Sequence, residues 1–165
     1  FLAGSFLFGT LIGLLKDGQP ILGALNHPLT GHLLIGAAGQ TRLNGQPVSV
    51  RPCARLEDAV LLASTHVGVA RYADMAAYET LTRRVRLYRT WGDCHGYFLL
   101  ATGYADIMVD PVMNLWDLAP LVPIVEGAGG RITDWRGGPV IGGAGVVATA
   151  GALHQAVIRA LNPSS

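Results

Sequence analysis

Charge is scarce in this chain. Only 14% of its 165 residues are Asp, Glu, Lys or Arg, and twelve basic against eleven acidic side chains leave a formal net charge of +1. The densest basic stretch is Arg83, Arg84, Arg86 and Arg89, too small for a nucleic-acid surface. Cysteine is scarcer still. Cys53 and Cys94 stand far apart, in no metal-ligand spacing and with no disulfide framework around them, which fits a reducing, cytoplasmic setting. No membrane-spanning segment is read. The apolar opening lacks a charged leader, is interrupted by Gly4, Ser5, Gly9, Thr10 and Gly13, and is too short to cross a bilayer, so it reads as a buried strand. The glycine-rich stretch Gly142 to Gly145 lacks the lysine and hydroxyl residue of a phosphate loop and precedes a strand, so it reads as a tight turn. There is no internal repeat. There is also no initiator methionine: the sequence starts at Phe1 in core-like residues, and is expected to continue a longer polypeptide upstream.

Half of the residues are hydrophobic, a composition that buries a real core. The first fifty residues read as β structure. Phe6 to Leu15, Ile21 to Leu25 and Leu33 to Ile35 are strands, separated by Lys16-Asp17-Gly18 and by Asn26 to Gly31, and Asn44-Gly45 marks a tight hairpin. These make an antiparallel meander. From Pro52 the pattern changes to short apolar runs alternating with helical spacing. Strands are expected at Ala59 to Ala63, Val85 to Tyr88, Ile107 to Val109, Arg131 to Thr133 and Val146 to Thr149. Helices are expected at Arg71 to Arg84, Asp93 to Gly103, Leu115 to Glu126 and Ala152 to Leu161. Pro123 should kink the third of these. The whole is an α/β chain, an α+β layered sandwich, with an incomplete antiparallel-sheet subdomain over 1–52 and an α/β subdomain over 53–165.

Four side chains carry candidate chemistry. Asp117 opens a helix after Trp116. It has two readings: the acid of a capping box begun by Asn114, or a rigidly held hard-oxygen ligand for Mg²⁺. Asp110 either makes an Asp-Pro turn or places an acid at a strand's carboxyl end, where α/β sheets bind ligands. Asp93 either caps a helix or faces a ligand. Cys94, beside it, reads as a small core residue rather than a nucleophile, since His95 points about 100° away on a helix. His27, His32, His66 and His154 show no ligand spacing, and His154 reads as a surface or packing residue.

The run Asn114-Leu115-Trp116-Asp117-Leu118-Ala119-Pro120, continuing through Ile124-Val125-Glu126-Gly127-Ala128-Gly129-Gly130, resembles the C-terminal signature of the inositol monophosphatase family. Trp91-Gly92-Asp93-Cys94 and Ala101-Thr102-Gly103 resemble that family's substrate-side helix, in the form its histidinol-phosphate phosphatases carry, and Pro120 and Pro123 suit the same branch. The opening hairpins extend the resemblance over essentially the whole chain. It implies that Asp117 ligates an active-site Mg²⁺, that Asp110 contacts the substrate, and that Asp93 and Cys94 lie near the leaving group. It implies an enzyme acting on a small phosphorylated metabolite, histidinol phosphate or inositol phosphate, in a family whose members are often homodimers. The family's other metal ligands, in a Glu-Glu segment and an Asp-Pro-Ile-Asp-Gly-Thr motif, do not occur in this sequence. The chain alone is therefore expected to be inactive. A non-catalytic module that binds a small phosphate compound or a protein is the alternative of another class.

Overall fold

The computed structural model describes residues 4–140 and 145–163. Most of the Gly142 to Gly145 stretch falls outside the described residues. The described residues form two five-stranded sheets and four α-helices.

The first sheet is a meander of β1 (Thr10–Lys16), β2 (Gln19–His27), β3 (His32–Ala37), β4 (Gln40–Leu43) and β5 (Gln46–Val48), antiparallel throughout. Asp17-Gly18, Ala38-Gly39 and Asn44-Gly45 close its two-residue hairpins, with positive φ at both positions of each. That geometry matches the twist of the flanking strands. The Ala38-Gly39 hairpin carries a weaker signal than Asn44-Gly45, because alanine gains nothing from φ +48. β1 starts four residues later than the apolar run suggests. Pairing begins at Thr10 with Asn26, and the segment before it leaves the sheet with the Phe8 carbonyl bonded to His27 Nδ1 at 3.0 Å.

The second sheet has the order β7-β6-β8-β10-β9, with β6 (Val60–Ala63) parallel to both β7 (Leu87–Arg89) and β8 (Ile107–Asp110). β10 (Val146–Ala150) runs antiparallel between β8 and β9 (Gly130–Asp134). α1 (Met75–Arg84) is shorter than its apolar spacing predicts. Asp74 caps it, accepting from Ala76 and Ala77 N–H, and residues 67–71 form a separate 3₁₀ turn. α2 (Asp93–Ala101) is capped by Gly92, so Asp93 is its first residue and not its cap. α3 (Leu115–Gly127) begins at Asn114, but the Asn114 side chain makes no cap hydrogen bond, so the capping box with Asp117 does not form. α4 (His154–Leu161) closes the chain. His154 is buried, held between the Thr133 and Thr149 hydroxyls, which makes it a packing residue.

α3 is one continuous helix through Pro120 and Pro123. It packs on β1 through β4 and also touches β9 and α2, so it lies between the two sheets. Gly13, Gly23 and Gly36 are cross-strand neighbours in three successive strands. A Cβ on Gly13 would lie 3.0 Å from Pro120 N, one on Gly23 1.8 Å from Pro120 O, and one on Gly36 2.4 Å from Pro123 O. The file continues to Thr41, whose hydroxyl donates to the Ile124 carbonyl at 2.7 Å. The prolines therefore sit where the helix backbone meets strand backbone directly, an approach only residues without Cβ permit.

The opposite face of this sheet is bare. Ile12, Leu14, Leu33 and Ile35 are exposed there, and β1 is an edge strand among the described residues. Such a face and edge favour self-association.

Two outcomes follow for measurement. Gly23→Ala should lower stability in urea by more than about 2 kcal/mol, or abolish folding, because helix backbone cannot yield as a side chain can. Gly39→Ala, at φ +74 with nothing within 4 Å of its Cβ, should cost only about 1 kcal/mol. Equal losses would remove the close-packing argument. This chain by itself should also bind a hydrophobic dye and aggregate, and Leu14→Lys with Ile35→Lys should reduce both. A dye-silent, monodisperse chain would show that the bare face is harmless.

Candidate functional site

β6, β7 and β8 all point their carboxyl ends the same way. From β6 the chain crosses through α1 to β7 on one side, then through α2 to β8 on the other. Where successive connections part to opposite sides of a strand, a crevice opens beyond the strand ends, and ligands of α/β sheets bind there. A cleft of about 830 Å³ occupies this place. Its walls include Ser64 and Thr65 after β6, Thr90 to Gly92 after β7, Asp110 to Asn114 at and after β8, and the starts of α2 and α3. Residues 7–9 close the remaining side.

The four side chains singled out from the sequence, Asp93, Cys94, Asp110 and Asp117, all line this cleft. Asp110 is buried at the end of β8 and accepts from Tyr97 Oη at 2.8 Å. Burial pushes its carboxyl up to about 6, against hydrogen bonds from Ser64 and Tyr97 that pull it down. Its backbone carbonyl accepts from Trp135 Nε1 at 2.8 Å, which fixes the strand end. Asp93 is exposed, with φ +51 and its N–H bonded to Ser64 Oγ at 2.7 Å. Cys94 beside it is half-buried, and burial, then the Asp93 charge, pushes its thiol up to about 11. At neutral pH it is a thiol and no nucleophile. Asp117 lies in the first turn of α3, its N–H bonded to the Asn114 carbonyl at 3.1 Å. Among the described residues its carboxylate makes no hydrogen bond or ion pair, so it is free for a ligand. The helix N-terminus favours its charge.

Behind the wall, His27 and His95 meet edge to face with centroids 5.3 Å apart. His27 Nε2 and His95 Nδ1 are buried without a partner among the described residues. Burial, then His27, holds His95 below its ordinary pKa.

Ser64, Tyr97 and Trp135 escaped the sequence reading. Two of them had a signal. Ser64 follows a buried strand, where such sites lie, and Tyr97 is four residues after Asp93 on one helix face. Nothing local marks Trp135.

A strand-end cleft lined by three acids, at a switch in chain direction, is the place where layered α/β folds bind their ligands. The sequence profile of the inositol monophosphatase family matches residues 1–165, and the chain belongs to that family. It is 34% identical to a histidinol-phosphatase of Chlorobaculum parvum, over 98% of this chain and 63% of the relative. It is 35% identical to a histidinol-phosphatase of Mycobacterium tuberculosis, over 98% of this chain and 65% of that one. A chloroplastic bifunctional phosphatase of Arabidopsis thaliana is 39% identical over 83% of this chain and 40% of its own length. Among solved structures, an inositol monophosphatase from Zymomonas mobilis superposes with a TM-score of 0.90 at 31% identity, over 98% of this chain and 65% of that one. The chain thus spans less than two thirds of the length of these relatives.

The buried acid and the buried histidine set opposing pH dependences. Asp110 has its folded pKa raised, so its contribution to stability is present at low pH and is lost as pH rises through about 6. His154, lowered to about 4 chiefly by burial, contributes in the other sense: stability is lost as pH falls from 6.5 through about 4. Asp110→Asn removes the first and leaves the second. The unfolding free energy of the variant from denaturant titration, relative to the unaltered chain, should therefore climb between pH 4 and 6.5, by at most about 3 kcal/mol. A constant difference across that range would show that Asp110 is not held protonated by its surroundings.

Proposed function

We propose that the whole protein is a Mg²⁺-dependent phosphate monoester hydrolase acting on histidinol phosphate, and that this chain supplies one metal ligand, Asp117, and the side of the site that meets the leaving group. The reading rests on one observation: Asp117, Asp110, Asp93 and Cys94 line a single strand-end cleft. Family membership and the histidinol-phosphatase relatives support the choice of substrate.

The described residues do not by themselves fit a magnesium ion. Among them no group of three or more acidic, histidine or cysteine side chains converges closely enough to hold a metal, and Mg²⁺ keeps its waters unless several anionic oxygens meet it. What this chain's residues do is recognise and orient. Histidinol phosphate carries an ammonium and a titratable imidazole beside its phosphate. Asp93 and Asp110 complement those cations, and a cation approaching Asp110 favours its charged form over the acid that burial favours. The Cys94 thiol and Trp91 offer softer contact beside them. An inositol phosphate would present hydroxyls to the same two acids. It is the second reading, favoured by the Zymomonas likeness. A cytoplasmic setting fits the two free cysteines, and no helix among the described residues is long and apolar enough to cross a membrane. A homodimer is the assembly expected from the family.

Side-by-side turnover of the whole protein tests this. Histidinol phosphate should be hydrolysed in preference to inositol 1-phosphate, only with Mg²⁺ present, and Asp117→Asn should lower the rate at least about a hundredfold. Unchanged turnover and metal dependence in Asp117→Asn would end the reading. This chain alone should show no phosphatase activity above background and no saturable Mg²⁺ binding in calorimetry.

A further inference from the structure

Ser64 stands one residue beyond β6, between the start of α2 and the end of β8. Its hydroxyl accepts the Asp93 N–H at 2.7 Å. Gly92 is pressed against it: a Cβ there would lie 2.1 Å from Ser64 Cα. The first residue of a helix ordinarily has φ near −60° and an N–H left to water, since an N-cap side chain accepts from the second or third residue. Here the N-cap is glycine, which has no side chain to offer, and Asp93 has φ +51. The other described non-glycine residues with positive φ, Asp17, Ala38 and Asn44, each occupy a two-residue hairpin loop that requires it. No turn requires it of Asp93. Such a conformation persists only where its surroundings impose it, and it concentrates at functional sites. The Asp93 N–H bond is made to Ser64, on another element.

The same residue reaches the second acid. Ser64 and Asp110 line the same cleft, polar contact with Ser64 favours the charged form of Asp110 against burial, and Asp110 Oδ2 accepts from Tyr97 Oη. A hydroxyl has one proton to donate and two lone pairs to accept with, so Ser64 can accept from Asp93 and still have its proton to offer Asp110.

We propose that Ser64 is a positioning residue for substrate discrimination, holding the two acids on the leaving-group side in fixed relation by accepting from the backbone of Asp93 and donating to the carboxylate of Asp110. It rests on the proposed function above. Without the hydroxyl, Asp93 relaxes toward ordinary helical φ and its side chain swings away from the direction it shares with Asp110. A leaving group gripped by both acids then binds less well, while a small aryl phosphate with no cation to offer them binds as before.

The test uses the whole protein with Ser64→Ala and Ser64→Thr. With Ser64→Ala, KM for histidinol phosphate should rise about tenfold, the scale of one lost hydrogen bond to a charged group, with KM for p-nitrophenyl phosphate changed less than about twofold. Ser64→Thr, which restores the hydroxyl, should return the first value. If the alanine variant does not fold, Ser64→Cys keeps the volume while weakening both bonds, and should give the same split. Equal shifts for both substrates, or none, would overturn the proposal. Should the unaltered protein hydrolyse no phosphate ester, the proposed function fails on its own. Asp93 then decides the inference: in a crystal structure of Ser64→Ala its φ should become negative, and a retained positive φ would overturn the role given to Ser64.

Discussion

The closeness of α3 to the first sheet governs most of what the molecule presents. Gly13, Gly23 and Gly36 give the helix a track on which its backbone rests against strand backbone, and Pro120 and Pro123 lie on that track. A proline inside a helix removes a hydrogen-bond donor and crowds the preceding turn. Here the ring and the missing donor fall at the one face where nothing bulky stands opposite. Asp117 is one turn upstream of Pro120, so the seating of the helix on glycine also sets how far its acid projects into the cleft.

The second constraint is the parallel trio β7-β6-β8. Parallel neighbours gather three carboxyl ends and two helix starts at one rim. The residues there share a solvent pocket although they come from positions 64, 93, 110 and 117. Asp110 is the most heavily secured of them, clipped through its carbonyl by Trp135 and through its carboxylate by Tyr97. The Asp117 carboxylate, by contrast, has no hydrogen-bond or ion-pair partner among the described residues. That contrast suits one group that orients a ligand and another that receives a metal in company with ligands from elsewhere.

Much of this was legible in the sequence, and the failures have physical causes. Strand positions followed from apolar runs between turn residues, and every α/β element was found within a few residues. Both opening-sheet turns marked by Asp17-Gly18 and Asn44-Gly45 were readable because their residues tolerate left-handed backbone, whereas Ala38-Gly39 hid behind an alanine forced there by its neighbours. Of the two readings of Asp93 the cap does not hold, since local preference places Asp before a helix and cannot see a serine twenty-nine residues upstream that takes its N–H. Pro123 lies inside a helix that stays continuous past it. The glycines that accommodate it lie some ninety to a hundred residues earlier. All four candidate site residues reached one cleft because strand ends and helix starts are local features, while Ser64 and Trp135 act only through tertiary contact.

The order of strands in the second sheet carries a consequence for synthesis. β10, near the end of the chain, is inserted between β8 and β9. A nascent chain emerging from the ribosome therefore exposes β8, with Asp110 at its tip, as an open edge until residues 146–150 arrive. β10 is made after both of its neighbours and inserts between them, so this sheet is complete only once residues 146–150 have been made, and any polypeptide released before that point carries its acids on an unfinished sheet.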